Sequence, residues 1–288
     1  MEADSYYQKL SDIFRDKPEL VVRFPDWMLS TDRLETIGRM ENPAIVEIAG
    51  RDSVAAAVQS VAESAFTDLI PVYAYTGTEY GNWTNVTQAL ERLAARLPET
   101  RVHRLLVMGS PVFWRALNAR FVDEWISRFQ YYSPCPGCHL YLHAVRIPLA
   151  KLMGGIPIIS GERESHSGVV KINQTAQAID IYSDLARRFD VRLILPLRHV
   201  TRGEEIETIL KMPWARDEEQ LKCVFSGNYR RMNGSVGPSV ADVKNYFTKF
   251  AIPVIDAAIS AYMSGVSPNV EGIARQALQG IPEPARET

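Results

Sequence analysis

The chain has 288 residues, enough for one large domain or for one domain with helical appendages. Hydrophobic residues make up 46 %, which excludes a disordered chain, and 32 basic against 34 acidic residues leave a net charge of −2, which excludes capture of nucleic acid by bulk charge. No apolar run reaches the length of a membrane span, and Met1-Glu2-Ala3-Asp4-Ser5 is acidic where a signal peptide is basic and then apolar, so a cytoplasmic chain with no membrane role is expected.

Residues 1–42 carry helical spacing (Leu10, Ile13, Phe14, then Leu34, Ile37, Met40) and are expected to form an N-terminal helical arm. The apolar run Ala44–Ala49, ended by Gly50, reads as a buried parallel strand, and 52–64 as a helix with Val54, Ala57, Val58 and Val61 on one face. The alternation continues with strands at 69–75, 101–108, 156–159 and 191–197, and helices at 86–97, 113–129, 140–153 and 175–189. Strands spaced by helices imply an α/β fold, a parallel sheet with helices on both faces. An α/β domain is therefore expected over 43–230 and a C-terminal helical extension over 231–288, mainly helical from about Glu204, with a frayed tail from Pro282.

Ligands of open parallel sheets bind where strand ends meet helix N-termini. Ala49-Gly50-Arg51-Asp52-Ser53 lies at such a place. Gly50 permits close backbone approach, the helix start offers N–H groups, Ser53 can donate a hydroxyl, and Arg51 can grip a phosphate. A tight turn capped by Asp52 or Ser53 explains the same residues without a ligand. The stretch 76–83 reads as a glycine-containing connection between strand and helix. Glu162, Glu164 and His166 form a charged loop after the strand at 156–159, on the presumed active edge, and are the catalytic candidates; Lys171 and Asn173 are weaker ones.

Cys135-Pro136-Gly137-Cys138 is the sharpest feature, and Cys223 is the third and last cysteine. An odd count with a C-x-x-C points to metal or redox chemistry, with Pro136-Gly137 supplying the turn. Four readings stay open: tetrahedral zinc completed by His139 or His143, a redox dithiol, c-type haem attachment through Cys135–His139, or an iron–sulfur cluster held by three thiolates. In the bland alternative Cys223 is a core residue.

The turn resembles the Ser-Gly-Gly-x-Asp-Ser pyrophosphate loop of the PP-loop ATPases, within the adenine nucleotide α-hydrolase-like fold. Gly50, Asp52 and Ser53 match its second Gly, its Asp and its Ser, whereas Ile48 and Ala49 replace its leading Ser and Gly. The stretch 76–83 is faintly similar to a segment of PAPS reductases. A C-x-x-C followed by a distant cysteine is similar to the iron–sulfur-dependent tRNA 2-thiolation enzymes of that superfamily, over roughly 43–230. The resemblance implies Cys135, Cys138 and Cys223 on a [4Fe-4S] cluster, with zinc as the alternative, and ATP with Mg2+ at Ala49–Ser53. It implies an adenylating sulfur transferase; the alternatives are a non-catalytic or sensory metal- and nucleotide-binding protein, or a zinc-containing PP-loop enzyme of the deazaguanine-synthase type. With a net charge of −2 a small-molecule or nucleotide-like substrate is expected ahead of tRNA. The sequence does not identify the sulfur donor, and a homodimer is compatible with it.

Overall fold

The computed structural model describes residues 2–214 and 219–283. In chain order its elements are α1 (Glu2–Asp16), α2 (Thr31–Gly38), β1 (Pro43–Glu47), α3 (Arg51–Ser64), β2 (Asp68–Tyr75), β3 (Glu79–Tyr80) and α4 (Thr84–Arg96). There follow β4 (Arg101–Val102), β5 (Leu106–Gly109), α5 (Pro111–Asn118), α6 (Val122–Phe129), α7 (Pro134–Leu152), β6 (Ile158–Ile159), α8 (Ala176–Arg188) and β7 (Leu193–Ile194). The remainder holds α9 (Gly203–Leu210), β8 (Lys222–Cys223), α10 (Val240–Tyr246), α11 (Ile252–Met263) and α12 (Val270–Gln279).

The main sheet runs β4-β2-β1-β6-β7, with β5 also on β2, and every pairing in it is parallel. Strand order grows outward from β1 through β2 and then restarts on β1's other side with β6. Because crossovers are right-handed, reversing direction at β1 puts α3 and α4 on one face and α7 and α8 on the other. β1 and β2 are buried on both faces, which is why their sequences run apolar without alternation. The expected α/β architecture is the observed one.

Several boundaries differ from the sequence reading. The strand expected over 101–108 is split into β4 and β5, opposite Pro71 of β2. Pro71 has no N–H to give that edge, and the ladder breaks there. The helix expected over 113–129 is interrupted between α5 and α6. Residues 219–239 are irregular apart from β8. A π-helical turn at Phe247–Ala251 separates α10 from α11, where Pro253 can give no amide to the turn before it.

The terminal segments share the core of the sheet domain. Tyr6, Leu10 and Met28 are buried in it, and so are Phe250, Ile255 and Leu278. The Tyr6 hydroxyl donates to the Leu105 carbonyl at 2.6 Å, and Leu20 and Gly109 exchange backbone hydrogen bonds at 2.8 and 2.9 Å. Most of the expected frayed tail, residues 284–288, lies outside the described residues. No helix among the described residues is long and apolar enough to cross a membrane.

Candidate functional site

In a doubly wound sheet the strand order reverses at one crevice, and loops splay apart there to leave room for a ligand. Here that crevice lies between β1 and β6, and a cavity of about 640 Å³ opens at their carboxyl ends. Ala49–Ser53 form one part of its wall. The Ser53 hydroxyl is buried and turned back on the turn itself. It accepts from the amides of Ala49 (3.0 Å) and Gly50 (3.1 Å) and donates to the Gly50 carbonyl (2.8 Å). Asp52 bridges two guanidinium groups, accepting from Arg51 Nε at 2.9 Å and Arg163 Nε at 2.8 Å. Arg51 keeps a buried Nη1 without a hydrogen bond, its nearest carboxylate being Glu207 at 3.9 Å.

The β6 loop closes against this turn backbone to backbone. A Cβ at Gly161 would stand 2.6 Å from the Asp52 carbonyl carbon and 2.7 Å from the Ser53 amide nitrogen. Gly161→Ala is expected to lower stability by about 1–3 kcal/mol, read as a lower denaturation midpoint, because neither backbone segment can retreat.

The cysteines line the same cavity. Cys135 and Cys138 sit in the first turn of α7, which the sequence reading placed before the helix. Ser133 caps it, accepting from the Cys135 amide at 3.4 Å, and Pro134 stands at its start. Gly137 therefore serves close packing, since a Cβ there would run into Asn118 and the Tyr246 hydroxyl. Cys223 is brought back by an antiparallel ribbon, β3 with β8, in which Glu79 pairs with Cys223. The stretch 76–83 is thus part of the site and more than a connection, which corrects the bland reading. The Glu79 carboxylate accepts from the amides of Thr76 (2.5 Å) and Gly77 (2.9 Å), and Thr78 Oγ1 lies 3.2 Å from Cys223 Sγ.

Burial raises the thiol pKa of Cys135, and that of Cys138 strongly. Trp114, stacked on Phe225, turns a buried indole N–H toward Cys138 and opposes the rise. Among the described residues no three His, Cys, Asp or Glu side chains close around a single ion. Sulfurs gripping one zinc stand roughly 3.8 Å apart, given Zn–S bonds of about 2.3 Å. Thiolates on separate irons of a cluster are spread more widely.

Beyond the cysteines, α7 turns His139, Leu142 and Arg146 to the cavity at helical spacing. Glu162, from the β6 loop, is buried against this stripe. It accepts from His139 Nδ1 at 2.8 Å, His143 Nε2 at 3.2 Å and Gln174 Nε2 at 2.5 Å. Burial pushes its carboxyl upward, but the two histidines outweigh burial and hold it well below the usual range. Glu162 engages one nitrogen of each ring, which leaves His139 Nε2 and His143 Nδ1 without a hydrogen-bond partner among the described residues, so the zinc alternative stays open. Glu47, at the end of β1, pairs with Arg146 at 3.2 Å and accepts from Ser160; burial again opposes, and Arg146 prevails in lowering its pKa.

Of the catalytic candidates, Glu162 alone lines the cavity. Glu164 points elsewhere, bound to Arg198 Nε (3.0 Å) and His199 Nδ1 (2.8 Å). His166 lies behind Lys171 and Arg163, its pKa pushed down to about 4 by burial first and by those two cations next. Since an unfolded histidine titrates near about 6.5, stability contributed by neutral His166 is lost as pH falls from there to about 4. His166→Gln is expected to flatten the stability profile in that window, measured by thermal melts across pH. Glu47 and Arg146 escaped the sequence reading although each is a charge inside an apolar run, which is a usable signal. Thr78 and Glu79 left none.

No protein-family model matches the chain. A solved structure, the U34-tRNA thiolase NcsA from Methanococcus maripaludis with its [4Fe-4S] cluster, aligns over 91 % of this chain and 78 % of that one at 12 % identity, with a TM-score of 0.36, a likeness too loose to decide fold or activity. The uncharacterized protein MJ0009 of Methanocaldococcus jannaschii is 44 % identical over 202 residues, 69 % of this chain and 72 % of its own length, and the chain belongs to the same family as that protein.

Proposed function

We propose that the chain is an ATP-using, iron–sulfur-dependent sulfur transferase of the PP-loop kind, or a close relative. One observation carries the reading: a single cavity at the sheet's reversal point is lined by the Ala49–Ser53 turn and by Cys135, Cys138 and Cys223. In this chemistry an acceptor carbonyl oxygen attacks the α-phosphate of ATP and pyrophosphate leaves. A sulfur nucleophile then adds at that carbon, and AMP departs with the oxygen. Arg51 and the positive end of α3 meet the phosphate charge.

The three cysteines fit a [4Fe-4S] cluster in number and in sharing one wall, which Trp114, Leu142 and Phe225 render apolar. Such a cluster, when bound, supplies an iron without a protein ligand that can take sulfide. Glu162 orients His139 beside Cys138, and Glu47 fixes Arg146 further along the same helix.

Anaerobically purified protein is expected to be brown, to contain iron and acid-labile sulfide, and to release AMP from ATP when acceptor and sulfide are supplied. Stoichiometric zinc without labile sulfide would overturn the cluster and favour the zinc-containing alternative. The spent Ser53 hydroxyl favours a second reading, a nucleotide- and metal-binding protein without ATP cleavage, which ATP binding with no AMP formed would identify. The acceptor is proposed to be small or nucleotide-like. Tight, salt-sensitive retention of total tRNA on filters, lost on reversing the charges of Arg230 and Arg231, would replace that with tRNA.

A further inference from the structure

The acids lining the cavity are all matched. Glu47 is paired with Arg146, Asp52 with Arg51 and Arg163, Glu79 with Lys17 and Glu162 with His139. The donors are not. Lys171 lines the cavity with no carboxylate in ion-pair reach among the described residues. Asn173, two residues on, is 6 % exposed, and its side-chain amide has no hydrogen-bond partner among the described residues, although the residue lines the cavity. Across the crevice, Arg51 is already engaged, by Asp52 at 2.9 Å and by Glu207 at 3.9 Å. A half-buried cation beside an unpartnered amide offers donors that a ligand oxyanion would engage together. Burial lowers the pKa of Lys171, the direction expected while no anion is near enough to prevail.

We propose that Lys171 and Asn173 form an oxyanion subsite that takes a phosphoryl group in the crevice between the β1 and β6 loops. The proposal rests on the nucleotide reading above for its ligand, but not for its residues. Ser53 already occupies the amides of Ala49 and Gly50, so side chains rather than the turn's backbone do the gripping. Inorganic pyrophosphate carries the shared chemistry without adenine, and a phosphorylated acceptor would present the same group.

The test is calorimetry on the full chain with inorganic pyrophosphate, ATP and adenosine, for wild type, Lys171→Met and Lys171→Arg, each first shown to melt like wild type. Pyrophosphate should bind wild type, lose affinity by about tenfold to a hundredfold in Lys171→Met, and recover in Lys171→Arg. Adenosine should be indifferent to the substitution. Asn173→Asp, which puts a carboxylate into the subsite, should abolish pyrophosphate binding as an independent check. Equal pyrophosphate affinity in wild type and Lys171→Met, or no pyrophosphate binding by wild type, would overturn the subsite. Lys171-dependent binding of pyrophosphate with no affinity for ATP would uphold the subsite, and the nucleotide reading would fall.

Discussion

Replacing Cys223 by serine is expected to remove the visible absorption of the anaerobically purified protein and to bring bound iron from about four per chain to near background. Cys223 is held by a ribbon of two-residue strands, its sulfur touching the Thr78 hydroxyl and accepting from the Phe225 amide at 3.4 Å. A serine oxygen can take over both contacts, so the fold survives while the ligand is lost. The check is iron and sulfide analysis beside a thermal melt. A Cys223→Ser protein that melts normally and keeps its iron would remove Cys223 from the ligand set. Cys135→Ser and Cys138→Ser should behave alike, because all three thiols share the cavity.

Glu162→Leu is expected to cost about 3–5 kcal/mol of unfolding free energy, the usual scale for removing one partner of a buried charged cluster. The substitution strands His139 Nδ1, His143 Nε2 and Gln174 Nε2 at once. Glu162→Gln keeps an acceptor oxygen and should cost less, but it deletes a titration. The folded carboxyl sits well below its unfolded value of about 4.3, so its stabilisation is complete above that pH and disappears as pH falls through the folded value. Urea midpoints between neutral and strongly acid pH should fall steeply in wild type and more gently in Glu162→Gln. An identical acid limb in the two proteins would show that Glu162 is not held ionised.

What the sequence made legible was local. The alternation of apolar runs with helical spacing located the strands of the sheet, and Gly50 ahead of a helix start marked the turn. What it hid depends on partners far along the chain. Two-residue strands such as β3 and β8 have no period to read, so the return of Cys223 left no trace. Pro136-Gly137 looks like turn punctuation, whereas the helix starts at Ser133-Pro134. Glu164 and His166 looked equivalent to Glu162 in one charged loop. Only the backbone path decides that Glu162 faces α7 while Glu164 meets Arg198.

The β3–β8 ribbon also sets a timetable. A ribosome delivers the chain from its N-terminus, and domains begin to fold as they emerge. Every strand of the parallel sheet lies before residue 195, and so do Cys135 and Cys138 on α7. Thr78 must wait for a partner 145 positions downstream before the third thiol is in place. Under the cluster reading proposed above, metal loading would therefore follow synthesis of the β8 strand, and a nascent chain stalled before Lys222 would carry only the two thiols of α7.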